Sequence, residues 1–160
     1  MRRLARVDAA LETCGEHLTS TGTLGTEVEA SLTAYVSAVA YSSFEAEARR
    51  IVSSRGAGDG KDPRLAAFTA HAAVKLMRSI KVGELAGAAA WFHRDCKQTF
   101  QDLLTDEQKT AWDNIVSNRH GVAHEGDPST SAVSSLTFRE FEGLYPQAVG
   151  VLDVFELCLA

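Results

Sequence analysis

Asn118-Arg119-His120-Gly121-Val122-Ala123-His124-Glu125-Gly126 is the stretch on which the reading of this chain turns. It follows a run whose apolar residues Trp112, Ile115 and Val116 recur at helical spacing, and it brings one guanidinium and two imidazoles together between Arg119 and His124. On a helix, His120 and His124 stand about 40° apart around the axis, so both rings reach the same side. Arg119 is one position off that line, with a side chain long enough to lean toward it. A guanidinium grips a phosphate by two parallel hydrogen bonds, and a histidine with an ordinary pKa moves a proton at neutral pH. Arginine and histidine together, with no carboxylate nucleophile and no metal box, suit a phosphodiester.

The flanking signals describe a string of helices. Thr105-Asp106-Glu107-Gln108 and Thr137-Phe138-Arg139-Glu140 both have the spacing of a capping box, in which the threonine and the acid or amide three residues later satisfy each other's backbone donors. The first opens the helix that carries the motif, which Gly126-Asp127-Pro128 should close. The second opens a helix to the C-terminus through Leu144, Val151, Leu152, Phe155 and Leu159, with Pro146 expected to kink it or lie near a bend. Upstream, the pattern predicts a helix from about Leu4 to Leu18, a loop over 20–25, and a long helix from about Thr26 to Ser53. That long helix should turn Val28, Leu32, Tyr35, Val36, Val39, Phe44 and Ile51 inward. Gly56 to Lys61 reads as a loop, and Asp62-Pro63 as an N-cap followed by proline at the first helical position. The helix so started should bury Leu65, Phe68, Ala72, Leu76 and Ile80. Gly83 to Leu104 should be helical but broken around Phe92 to Arg94. Trp91, Phe92 and Trp112 are expected in the core. The polar segment Ser129 to Ser135 beside the motif could line an entrance.

Composition agrees with an all-α fold in a single domain covering residues 1–160. The net charge of −5 argues against a broad basic nucleic-acid surface, so any RNA contact would be local. Met1-Arg2-Arg3 is not followed by an apolar run, and no segment is long and apolar enough to span a membrane, so a cytoplasmic protein with no membrane association is expected. Cys14, Cys96 and Cys158 are odd in number and widely spaced, which fits reduced thiols. Neither His93 with Cys96 nor His120 with His124 has further ligands at a familiar spacing, so neither a metal nor another cofactor is expected.

The Arg-x-x-x-x-His spacing of Arg119 and His124, with polar His120 directly after the arginine, resembles the signature of the HEPN superfamily. The surrounding Asn118 to Gly126 looks most like its RiboL-PSP-HEPN branch. The order of elements is also similar across most of the chain: a long second helix containing Phe44-Glu45, an apolar helical middle, the motif helix, a polar loop and a last helix. The resemblance implies a bundle of about four to six α-helices with a long second helix. It implies a two-fold homodimer in which the motifs of two protomers form one composite site, and, in catalytic members, a metal-independent endoribonuclease that lets the RNA 2′-hydroxyl attack its own 3′ phosphate. Carried over residue by residue, His124 would be the general base or acid and Arg119 would hold the scissile phosphate. His120 or Asn118 would orient the arginine or the phosphate, and Glu45 matches an acidic position that could pair with Arg119.

The wider context implied is bacterial defence or a toxin-type system, with an antidote or defence partner protein. Members silenced by a nucleotidyltransferase often carry Tyr two positions after the motif histidine; here that position is Gly126, so nucleotidylation there is not implied. A non-catalytic relative that binds RNA, nucleotide or protein is the alternative. From residue chemistry alone, Arg119 and His124 could instead cap helix carbonyls, Glu45 could form an i,i+4 pair with Arg49, and His71, Lys75 and Arg78 could be a solvated face or track an RNA backbone.

Overall fold

A computed structural model describes residues 2–58, 62–123 and 136–160 of the chain, with residues 119–123 in backbone only. Among the described residues there are seven α-helices and no strand: α1 Ala5–Thr21, α2 Glu27–Ala57, α3 Pro63–Leu76, α4 Val82–Ala89, α5 Arg94–Leu103, α6 Asp106–Ala123 and α7 Phe138–Leu159. The all-α bundle with a long second helix is as expected; the number of helices exceeds four to six because the apolar middle divides at 90–93 into α4 and α5. There His93 starts α5, its Nδ1 accepting the Asp95 amide at 3.3 Å.

The starts lie where the sequence places them. Thr26 caps α2 by accepting the Val28 amide, and Asp62 caps α3 by accepting the Arg64 amide, with Pro63 in the first turn. Gln108 and Thr105 exchange bonds of 3.1 and 3.2 Å at the head of α6, and Thr137 and Glu140 close the second capping box on α7. Gly22, at φ 64°, ends α1 in the left-handed conformation that glycine adopts without strain. Three ends differ: α1 runs to Thr21 and α2 to Ala57, three and four residues past Leu18 and Ser53, and α3 stops at Leu76, short of Ile80. Helix α7 reaches Leu159 as expected, continuing through Pro146 and giving up the one backbone donor that proline lacks.

The core is built on an aromatic column shared by three helices. Trp112 of α6 stacks on Phe44 of α2 at 4.6 Å and 9° between ring planes; Phe44 faces Tyr145 of α7 at 6.4 Å, and Tyr145 faces Phe141 at 6.4 Å. Two rings of the column reach further elements: Trp112 Nε1 donates to the Ile80 carbonyl at 2.7 Å between α3 and α4, and the Tyr145 hydroxyl donates to Asp8 of α1 at 3.1 Å. Burial, followed by that bond to Asp8, pushes the Tyr145 phenol well above its ordinary range. Around the rim, Arg2 pairs with Glu47, Asp153 and Glu156, joining the start of the chain to α2 and α7.

Helix α3 departs from the expected orientation. Leu65, Phe68 and Leu76 are exposed and Ala72 is only partly buried; of the five residues expected inside, Ile80 alone is buried, and it lies beyond the helix. The helix instead lays Ala66, Thr69 and Ala73 against the end of α2, where Thr69 Oγ1 donates to the Ser53 and Ala66 carbonyls at 3.3 and 3.0 Å. Backbone proximity decides this: a Cβ on Gly56 would stand 2.8 Å from Thr69 Cγ2, so the two helices approach through small residues, which leaves no depth for leucine or phenylalanine. Trp91 likewise lies half-exposed, outside the core expected for it, whereas Trp112 is fully buried.

Gly56→Ala tests this contact. Alanine gains up to about 1 kcal/mol in helix propensity, but the new methyl meets a stiff β-branched neighbour, and overpacking of that kind costs about 1–3 kcal/mol. Crowding should prevail, and urea unfolding should report a net loss of about 1 kcal/mol; a gain in stability would show that α3 is not held this closely.

A polar end of the long helix as candidate functional site

The inward face of α2 changes character along its length. In the C-terminal half it presents Phe44, Ala48, Ile51 and Val52; in the N-terminal half Glu29, Thr33 and Ser37, one helical turn apart, join the apolar Val36, Ala40 and Tyr41. These three and Asn118 of α6 are the buried polar or charged side chains among the described residues. Such groups cost stability unless each finds a partner, and here they form a connected series. Asn118 Nδ2 donates to Ser37 Oγ at 2.8 Å, Ser37 Oγ to the Thr33 carbonyl at 2.8 Å, and Thr33 Oγ1 to the Glu29 carbonyl at 2.8 Å. The Glu29 carboxylate ends the series by accepting two backbone amides: Gly25, ahead of α2, at 2.6 Å and Phe138, the first residue of α7, at 2.9 Å.

Two contacts set the register of α6 on α2. Trp112 meets Phe44 and Asn118 meets Ser37, so the helices run antiparallel and the last turn of α6 lies beside the polar half of α2. Arg119 and His120 take the next two positions of that turn; their side chains, and the whole of His124, lie outside the described residues. Asn118 is thus the one predicted motif residue with a described side chain, and it is buried in the bundle. Glu45 lies eight residues from Ser37, about 12 Å further along the axis at 1.5 Å per residue. It makes the i,i+4 pair with Arg49, at 3.0 Å. His71, Lys75 and Arg78 are exposed. Among the described residues no three His, Cys, Asp or Glu side chains are grouped to hold a metal ion, and no helix is long and apolar enough to cross a membrane.

Sequence reasoning missed Glu29, Thr33 and Ser37. The usable signal is a four-residue polar period in a long helix; of the seven apolar residues expected inside, Val36, Phe44 and Ile51 are buried, Leu32 and Val39 are partly buried, and Val28 and Tyr35 are exposed. The chain matches no family model, no curated protein and no solved structure. What defines it is its own architecture: among the described residues, an all-α bundle whose longest helix buries a polar series at one end, beside the turn of α6 that runs from Asn118 into Arg119.

Two predictions follow from this arrangement. Ser37→Ala and Asn118→Ala should each cost about 1–3 kcal/mol, because each removes a buried hydrogen-bond partner. The double variant should cost less than the sum, with a coupling of about 0.5 kcal/mol or more by urea unfolding; strict additivity would mean that the two side chains do not lock the register. At the head of α7, bonds from the Thr137 amide and then its hydroxyl hold the Glu140 carboxyl below its ordinary value of 4.5. A depressed carboxyl stabilises the fold above its unfolded pKa and loses that contribution as pH falls through the folded value. Thermal melts should therefore show Glu140→Gln less stable than the natural chain at neutral pH, with the gap closing between about pH 5 and about pH 3.

Proposed function

We propose that the protein is a metal-independent endoribonuclease of the HEPN type, working as a homodimer whose two motifs form one composite site, in a bacterial defence or toxin-type setting. The observation that carries this reading is the Asn118–Ser37 bond. It clamps the motif helix to the long second helix at the polar end of the bundle, immediately before Arg119. Register there is maintained by buried polar pairing, which supplies a rigid base for a short reactive sequence at a helix end.

In this reading His124 takes the proton from the RNA 2′-hydroxyl as that oxygen attacks the adjacent phosphorus. Arg119 and its counterpart in the second protomer carry the charge that builds on the phosphorane oxygens. The P–O5′ bond then breaks, and the leaving oxygen receives a proton from a histidine acting as acid. The products are a 2′,3′-cyclic phosphate and a free 5′-hydroxyl, and RNA is required because DNA lacks the attacking group. His120 has an orienting role, and Asn118 acts through the backbone it anchors. The net charge of −5 and the exposed apolar line on α3 favour a second reading, a HEPN-like interaction module that binds without cleaving.

Purified protein incubated with mixed RNA separates the two. Cleavage should persist in excess chelator, fail on DNA and on 2′-O-methyl RNA, and disappear in His124→Ala and Arg119→Ala while helicity is retained. Dependence on added magnesium, or products bearing 5′ phosphates, would overturn the proposed chemistry; a strictly monomeric species in light scattering at micromolar concentration would overturn the composite site.

A further inference from the structure

The line of apolar side chains that α3 leaves outside is continuous. Leu65, Phe68, Ala72 and Leu76 fall within about 80° of the helix circumference and run for about 16 Å along it. Phe68 is 68% exposed, Leu76 59% and Leu65 43%. Scattered exposed leucines are ordinary; an aligned series is not. At its C-terminal end the line opens into a groove of about 120 Å³ between α2, α3 and the α4–α5 turn, lined by Val52, Ala72, Ala73, Leu76, Trp91 and Phe92 among others. Trp91, itself 47% exposed, forms the outer wall.

Charge selects the occupant. Arg64, His71 and Lys75 occupy the next 40° or so of the same helix, parallel to the apolar line. All three are exposed, and none of them forms an ion pair with another described residue. Helix α3 contains no acidic residue, on a chain whose net charge is −5. A second copy packed antiparallel on this face would set basic flank against basic flank, which disfavours self-association.

We propose that the α3 face is a docking site for an amphipathic helix of a partner protein, one that places apolar anchors along Leu65, Phe68 and Leu76, seats one of them in the Trp91 groove, and lays an acidic flank along Arg64, His71 and Lys75. This surface packs on α2 at Ser53 and Gly56, about 24 Å along the helix from Ser37, and the inference does not depend on RNA cleavage.

The test is selection from a displayed library of ~15-residue amphipathic helices, with apolar residues at i, i+3 or i+4 and i+7 and the flank randomised among acidic, basic and neutral residues. Selection against the whole chain should enrich acidic flanks. Binding of a selected peptide should weaken roughly tenfold or more in Phe68→Asp, a surface change that leaves the circular dichroism intact, and should fall with salt. Lys75→Glu should shift preference toward basic flanks. Enrichment of basic or neutral flanks, binding that survives Phe68→Asp, or no enrichment would overturn the proposal. So would a dimer in light scattering that Phe68→Asp dissolves, which would make the occupant a second copy. Phe68-dependent sedimentation with phosphatidylserine-containing phosphatidylcholine vesicles would overturn it too, making the occupant an anionic membrane.

Discussion

Everything in this bundle is referred to the antiparallel seam between α2 and α6. One end of the seam is apolar, where the Trp112 indole lies flat on Phe44; the other is polar, where Asn118 donates to Ser37. A stack alone tolerates sliding, because offset aromatic pairs have broad energy minima. A buried hydrogen bond does not, because a shift of one residue leaves a desolvated amide and hydroxyl unpaired. The two together specify both contact and register. The column then extends through Phe44 to Tyr145 and Phe141, so α7 is placed by the same rings, and the Tyr145 hydroxyl recruits α1 through Asp8.

The polar half of α2 has a second consequence. Its carboxylate, Glu29, satisfies an amide at the head of α7 as well as one ahead of α2. A carboxylate at a helix N-terminus is favoured by the unpaired amides and by the helix dipole. Glu29 therefore joins the starts of two helices, while Asn118 joins the end of a third to the same face. The end of the bundle that bears Arg119 thus adds buried hydrogen bonds to its apolar packing, in which Val36, Val116 and Phe138 are buried. That is the kind of support that holds reactive groups to a narrow geometry.

Helix α3 does the opposite. Its attachment runs through Gly56, Thr69 and Ala73, residues too small to bury much surface. The larger side chains of the same helix face outward, next to a basic line. The long helix thus has two contrasting ends: a seam with buried hydrogen bonds, beside the turn of α6 that continues from Asn118 into Arg119, at one, and an apolar, basic-edged surface on α3 at the other.

The sequence by itself determined the helical class, the long second helix, the break between α4 and α5 and the helix starts at Thr26, Asp62, Thr105 and Thr137. Those are local matters: a cap is a contact between residues two or three apart, and the residue types that can make it are few. Periodicity also indicated the inward faces of α6 and α7, where Trp112, Ile115, Val116, Val151, Leu152, Phe155 and Leu159 are buried, but the inward faces of α3 and of the first half of α2 were decided by tertiary structure. For α2, apolar periodicity placed Val36, Phe44 and Ile51 correctly but also pointed to the exposed Val28 and Tyr35, while Glu29, Thr33 and Ser37 are buried as well; the distant partners of Ser37 and Glu29 lie on α6 and α7, 81 and 109 residues away. For α3, Leu65 and Phe68 have the spacing of a core face, and only the close approach at Gly56 turns them outward. In both cases the deciding energy belongs to a contact between distant segments, a hydrogen bond in one and a steric limit in the other, and periodicity along a single helix carries no record of either.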